Sequence, residues 1–179
     1  DSAGMSRSIP IDKIMDDCLV AYAMNGEALR PEQGYPARLI VPGWEGNMWV
    51  KWLRRLEFGD MPYMARQETS KYTDLMKDGK ARMFTWVMDA KSVVTSPCPE
   101  KSIMSKGTQL LKGLAWSGRG KITRVDVSFD GGRNWETSEL HEPILDKSLT
   151  RFTVPFNWNG EEMLIPVSYT HLTLPTTGI

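Results

Sequence analysis

The rhythm of apolar positions changes every few residues in the first half of the chain. Ile11, Ile14, Met15 and Cys18 recur at helical spacing behind Ser8-Ile9-Pro10. Proline in a first helical turn forfeits an N–H that would be unpaired anyway, so this predicts one short helix. Residues 19–24 suit a strand, and Asn25-Gly26 predicts a tight turn behind it. A loop with Pro31, Gly34 and Pro36 leads to a second short strand, residues 38–41, which runs into Pro42-Gly43-Trp44-Glu45-Gly46. Glycines there fit a backbone that turns sharply or lies close to something. Residues 49–56 resume an apolar–basic alternation and predict a further strand.

The pattern changes after the polar stretch 74–81, so a domain boundary is expected after residue 80. Residues 83–88 and 90–95 are strand-like, and Ser96-Pro97-Cys98-Pro99 is a break. Residues 107–116 predict a strand with Leu110, Leu111, Leu114 and Trp116 as its apolar members. Val125, Val127 and Phe129 alternate with Asp126 and Ser128. Asp130-Gly131-Gly132 predicts a hairpin turn, with Trp135 on the return strand, and residues 150–156 predict another strand. The expected architecture is an α+β first part (1–80) followed by an all-β sandwich (81–166). Residues 167–179 break the pattern. They resemble translated adapter read-through and are expected to be non-native; the alternative is a genuine threonine-rich terminal strand. His171 lies there and is given no role.

Composition narrows the picture by exclusion. With 22 basic and 22 acidic residues among 179, the chain has no net charge to attract nucleic acid or an anionic membrane. No apolar run approaches the ~20 residues needed to cross a bilayer, and no signal segment is visible at Asp1. Cys18 and Cys98 stand far apart with no histidine nearby, which argues against zinc and for small, buried apolar roles. Trp44, Trp49 and Trp52, three of seven tryptophans, crowd around the glycine loop. They suit a packed core or a cofactor wall.

The chemistry concentrates between Met24 and Arg55. Gly43 and Gly46 would let backbone N–H groups face a phosphate. Arg38 can fork onto phosphate oxygens, and Lys51 adds a point charge. These features suit an anionic ligand, although arginines and lysines are more often simply solvated.

The run AYAMNGEALRPEQGYPARLIVPGWEGNMWVKWLRRLEF (21–58) resembles the sulfite oxidase family of molybdenum-cofactor oxidoreductases. The resemblance implies that Arg38, Trp49, Val50 and Lys51 contact the cofactor's pterin phosphate. Gln33 stands where members often carry a histidine; it can donate a hydrogen bond but carries no charge. ETSKYTDLMKDGKARMFTW (68–86) resembles the segment with the family's active-site tyrosine, here Tyr72. Its phenol would hydrogen-bond an oxygen of the reacting group or help manage a released proton; otherwise it is a tyrosine packing a loop. The wording is most similar to the sulfane dehydrogenase branch, found in bacterial thiosulfate oxidation. KSVVTSP (91–97) and GLAWSGRGKITRVDVSFDGGRNWETSEL (113–140) resemble the immunoglobulin-like dimerisation domain that follows the cofactor domain.

The resemblance implies oxidation of sulfane sulfur or sulfite, a c-type cytochrome acceptor, a homodimer, a substrate either free or carried on a protein, and a periplasmic setting. It places the molybdenum-ligating cysteine upstream of Asp1, so Cys18 is not assigned as a ligand and the chain is expected to be an inactive fragment. Two rivals stay open. One is a plain sulfite dehydrogenase of the same family. The other is an immunoglobulin-like binding or assembly module without chemistry.

Overall fold

The computed structural model describes residues 4–171, apart from Lys101 and Met104. The chain divides between Val87 and Met88 into two compact units.

In the first unit, helix α1 (Ile11–Asp17) starts behind Pro10, whose carbonyl accepts from the Ile14 N–H. It buries no side chain fully. Strand β1 (Leu19–Ala21) follows. Strands β2 (Ala23–Met24) and β3 (Glu27–Ala28) form a hairpin around Asn25-Gly26. Both turn residues have positive φ, which is why asparagine and glycine are used. Strand β4 (Arg38–Ile40) returns antiparallel to β1 with Leu39 opposite Val20. The core beneath it is Leu39, Val41, Trp44 and Met48. Trp44 stacks on Trp86 at 4.8 Å and 7°. Strands β5 (Asp74–Leu75) and β6 (Ala81–Arg82) close the unit as a small antiparallel pair.

Two predicted strands do not form. Residues 49–56 are irregular, because a 3-10 turn at Gly46–Met48 precedes them and Trp52 has φ +52. Residues 83–88 are broken by Phe84 at φ +58 and keep one bridge, Val87 to Trp44.

The second unit is two antiparallel sheets. Strands β7 (Lys91–Ser96), β8 (Gly107–Trp116), β9 (Ile122–Val127), β10 (Glu136–Thr137), β11 (Glu139–His141), β12 (Thr150–Trp158) and β13 (Val167–His171) follow in order. The sheets run β11-β12-β8-β7 and β10-β9-β13. Along β12 the alternation is clean: Thr150, Phe152, Val154 and Phe156 face inward. Pro155 sits where β12 has only β8 as a neighbour, so no second ladder needs its missing N–H. One sheet gives Leu111, Ala115, Phe152, Val154 and Phe156 to the core, the other Ile122, Val125 and Val127. Each of the larger of these side chains contributes about 1.5–3 kcal/mol on burial.

Strand β13, which takes in the first residues of the expected non-native tail, pairs antiparallel with β9, with Val167 opposite Val127. Residues 172–179, the rest of the expected non-native tail, lie outside the described residues. Both cysteines are half-buried and outside any disulfide, and Cys18 packs against the first core.

The predicted turn at Asp130-Gly131-Gly132 is a built knot. Asp130 accepts from the backbone N–H groups of Arg133 and Asn134, from the Asn134 amide and from the Ser128 hydroxyl. The Asn134 backbone bond is the largest influence holding this carboxyl well below its ordinary pKa, followed by the Ser128 bond. The folded form therefore favours the carboxylate. Its contribution is fully present above the unfolded value of about 3.9 and is lost as pH falls through the lower folded value. Acid titration of chain stability should show a flatter limb below pH ~4 for Asp130→Asn than for the wild type. Superimposable limbs would show that the knot does not couple to folding.

Candidate cofactor-binding site

Of the five residues expected at a cofactor, Gln33, Arg38 and Trp49 are joined by direct contacts, Val50 is tied in by its backbone, and Lys51 reaches the set through Glu32 and Gly34. Arg30 to Gln33 forms a capped turn: the Arg30 N–H donates to Gln33 Oε1 at 3.0 Å. The Gln33 carbonyl accepts from Arg38 Nη1 at 3.0 Å. Strand β4 thereby carries Arg38 beside that turn, and the guanidinium lies 5.9 Å from the Trp49 ring centroid. Trp49 is fixed in turn by Nε1 donating to the Trp44 carbonyl at 3.1 Å. Val50 accepts from the Leu39 N–H at 2.8 Å, which ties the Trp49–Val50–Lys51 triplet to β4.

Lys51 closes the set. Its Nζ donates to the Glu32 carbonyl at 2.8 Å, and its backbone lies against Gly34. A Cβ at Gly34 would stand 2.9 Å from Lys51 Cβ, and φ there is +110. Only glycine allows both the close approach and the backbone angle. The Trp52 N–H donates to the Gly34 carbonyl and the Leu53 N–H to the Ala37 carbonyl, so this stretch crosses the β4 region without forming a ladder.

The electrostatics are one-sided. Among the described residues neither Arg38 nor Lys51 meets a carboxylate; both are held by backbone carbonyls. Arg38 Nε is buried with no hydrogen-bond partner. A buried donor without an acceptor costs about 1–3 kcal/mol, so an acceptor is expected to complete it. A half-buried cation with a spare donor, a lysine and a glutamine amide fit an anionic group such as a pterin phosphate. Gly43 has φ +75, the sharp turn expected of the loop, whereas a Cβ at Gly46 would meet nothing, so close approach is not required there.

Tyr72 caps the π-turn Gln67–Lys71 and is exposed, at 41%. It makes no described hydrogen bond or ring contact with the five residues expected at a cofactor. It meets Arg7 instead, whose guanidinium carbon lies 4.5 Å from the Tyr72 ring centroid. Arg7 Nε also donates to the Asn47 carbonyl at 3.1 Å, just ahead of the Trp49–Lys51 triplet. Glu68, 2% exposed, accepts from the Ser8 N–H at 2.8 Å. Arg7, Asn47 and Glu68 went unseen in the sequence, because side chains so far apart along the chain leave no spacing signal. Among the described residues there is no group of three or more His, Cys, Asp or Glu side chains that would hold a metal ion. Nor is any described helix long and apolar enough to cross a membrane.

A cationic cluster suited to a phosphate is what a molybdopterin oxidoreductase requires. Residues 1–67 match the oxidoreductase molybdopterin binding domain, and residues 82–170 match the Mo-co oxidoreductase dimerisation domain. The chain belongs to the molybdenum-cofactor oxidoreductase family, whose cofactor is molybdopterin-bound molybdenum. It is 60% identical to the sulfane dehydrogenase SoxCD from Paracoccus pantotrophus, with a TM-score of 0.86 over 91% of this chain and 42% of that one. It is 33% identical to an NADH nitrate reductase of Nicotiana tabacum, over 71% of this chain and 16% of the relative. The figure for the Cichorium intybus enzyme is 35%, over 74% and 17%. The chain thus spans less than half the length of these relatives. Tyr72 falls between the two matched regions.

Proposed function

We propose that the complete enzyme containing this chain oxidises a reduced sulfur compound, sulfane sulfur or sulfite. It passes the electrons to a c-type cytochrome subunit and works as a homodimer in the periplasm. The similarity to the Paracoccus sulfane dehydrogenase carries the substrate class: 60% identity, against 33–35% for the two nitrate reductases. The dimerisation-domain match over 82–170 supports the homodimer. The module without chemistry loses ground, because the first unit assembles a cationic, phosphate-suited cluster.

When bound, the molybdenum cofactor supplies the redox chemistry of sulfur oxidation, with water as the oxygen source. The chain's own residues bind and orient. Arg38 and Lys51 would grip the phosphate with fork and point charge, the Gln33 amide would donate a neutral hydrogen bond, and Trp49 would hold the Arg38 plane. Val50 fixes the triplet through its backbone. Tyr72 is the proposed catalytic residue, its Oη donating a hydrogen bond to an oxygen of the reacting group and relaying the proton released there to solvent. The discriminating assay gives the complete enzyme sulfane sulfur carried on a protein, free sulfite and nitrate. Turnover of nitrate alone would overturn the reading; sulfite alone would favour the plain sulfite dehydrogenase. Tyr72→Phe should keep its molybdenum and lose about a hundredfold in kcat. A wild-type rate would remove Tyr72 from the chemistry.

A further inference from the structure

Tyr72 is exposed and sits at the end of a short π-turn, which by itself would leave its ring free to move. Residues 7 and 8 restrain it from several sides. The Ser8 hydroxyl accepts from the Tyr63 N–H at 2.8 Å, and the Ser8 N–H donates to Glu68 Oε1 at 2.8 Å. Both ends of the segment that leads to Tyr72 are therefore pinned to one residue. The Glu68 carboxylate is buried, and its Oε2 has no partner. Arg7 then lays its guanidinium over the Tyr72 ring at 4.5 Å. The same guanidinium donates through Nε to the Asn47 carbonyl. Asn47 belongs to the turn Gly46–Met48 that delivers Trp49, Val50 and Lys51.

We propose that Arg7 is a positioning residue for Tyr72, bridging its ring to the turn that delivers the cofactor-contacting triplet and so fixing where the phenol stands. A planar, delocalised cation suits this task. It can stack on an aromatic face while its edge donates in plane, and a lysine cannot do both. The half-buried Ser8–Glu68 bond is the second anchor and keeps the segment from sliding beneath the ring. The proposal rests on the catalytic reading of Tyr72 given above.

The test uses the complete enzyme, with metal analysis, steady-state kinetics and fluorine NMR of protein labelled with 3-fluorotyrosine. The Tyr72 resonance is assigned by its loss in Tyr72→Phe. Arg7→Ala should keep its molybdenum, lower kcat between about tenfold and a hundredfold, leave KM within about twofold of wild type on the same ground, and shift or broaden the Tyr72 resonance. Arg7→Lys should fall between Arg7→Ala and wild type. In a Tyr72→Phe background Arg7→Ala should cost nothing further, because there is no hydroxyl left to position. Effects that multiply, an unmoved resonance, or a loss of molybdenum or folding in both Arg7 variants would make Arg7 merely structural and overturn the proposal. A slow Tyr72→Phe beside a wild-type Arg7→Ala would overturn the positioning role alone. A wild-type Tyr72→Phe would overturn the catalytic reading of Tyr72 and the positioning role with it.

Discussion

Arg38→Ala in the complete enzyme should abolish most of the molybdenum content while leaving the chain folded. Arg38 Nη1 is satisfied by the Gln33 carbonyl, but Nε is buried without a partner. Removing the side chain therefore relieves an unsatisfied donor in the empty protein and costs it little. In the loaded protein it would strip a charged fork from the phosphate. Truncating one partner of a buried, hydrogen-bonded charge pair costs about 2–5 kcal/mol, or roughly thirtyfold to several-thousandfold in affinity. The asymmetry between the two states makes the experiment sharp: thermal stability of the apo chain should barely change, while the molybdenum-to-protein ratio collapses. Arg38→Lys should recover part of the occupancy, because a point charge remains but the fork and its contact with Trp49 do not. Full occupancy in Arg38→Ala would show that the phosphate is held elsewhere. A large fall in apo stability would show that the arginine is a structural tie between the Gln33 turn and β4.

The parts of this site that could be read from sequence are those whose residues are close along the chain. Arg38, Trp49, Val50 and Lys51 lie in one stretch with the glycine that lets Lys51 approach, so the motif and the contact coincide. In the second unit, β8 forms over the residues expected, but its buried face is Leu111, Gly113 and Ala115, and the expected apolar members Leu110, Leu114 and Trp116 lie on the other face. Residues 49–56 misled altogether. Their alternation is real, but Trp52 takes a positive φ because its backbone bonds back to Gly34, a non-local demand that no local pattern records. The Arg7 contact to Tyr72 and the Ser8 bond to Glu68 are equally non-local. The pairing of β13 with β9 is non-local too, with Val167 set opposite Val127.

In the second unit the largest stability loss should come from Phe152→Ala. Phe152 is fully buried in β12, and its ring lies over Gly113 on the neighbouring strand, its partner in register. A Cβ added at Gly113 would stand 2.2 Å from Phe152 Cζ, 2.5 Å from Cε1 and 2.7 Å from the Val93 carbonyl oxygen. Glycine is thus kept in a strand interior, where it is ordinarily unfavourable, because the ring occupies the space of its missing side chain. Truncating the ring removes its buried area and leaves a cavity between the sheets, at a cost of about 3–5 kcal/mol. That is a large share of the ~5–15 kcal/mol that holds a domain together. Gly113→Ala should also destabilise, by overpacking, by about 1–3 kcal/mol or more. The pair should then be strongly non-additive. With the ring gone, the new methyl keeps only its conflict with the Val93 carbonyl, so Gly113→Ala should cost clearly less in the Phe152→Ala background than in the wild type. Denaturant unfolding of the four proteins measures this directly. Costs that simply add would show that ring and glycine are not one packing unit, and the cavity between the two sheets would need another explanation.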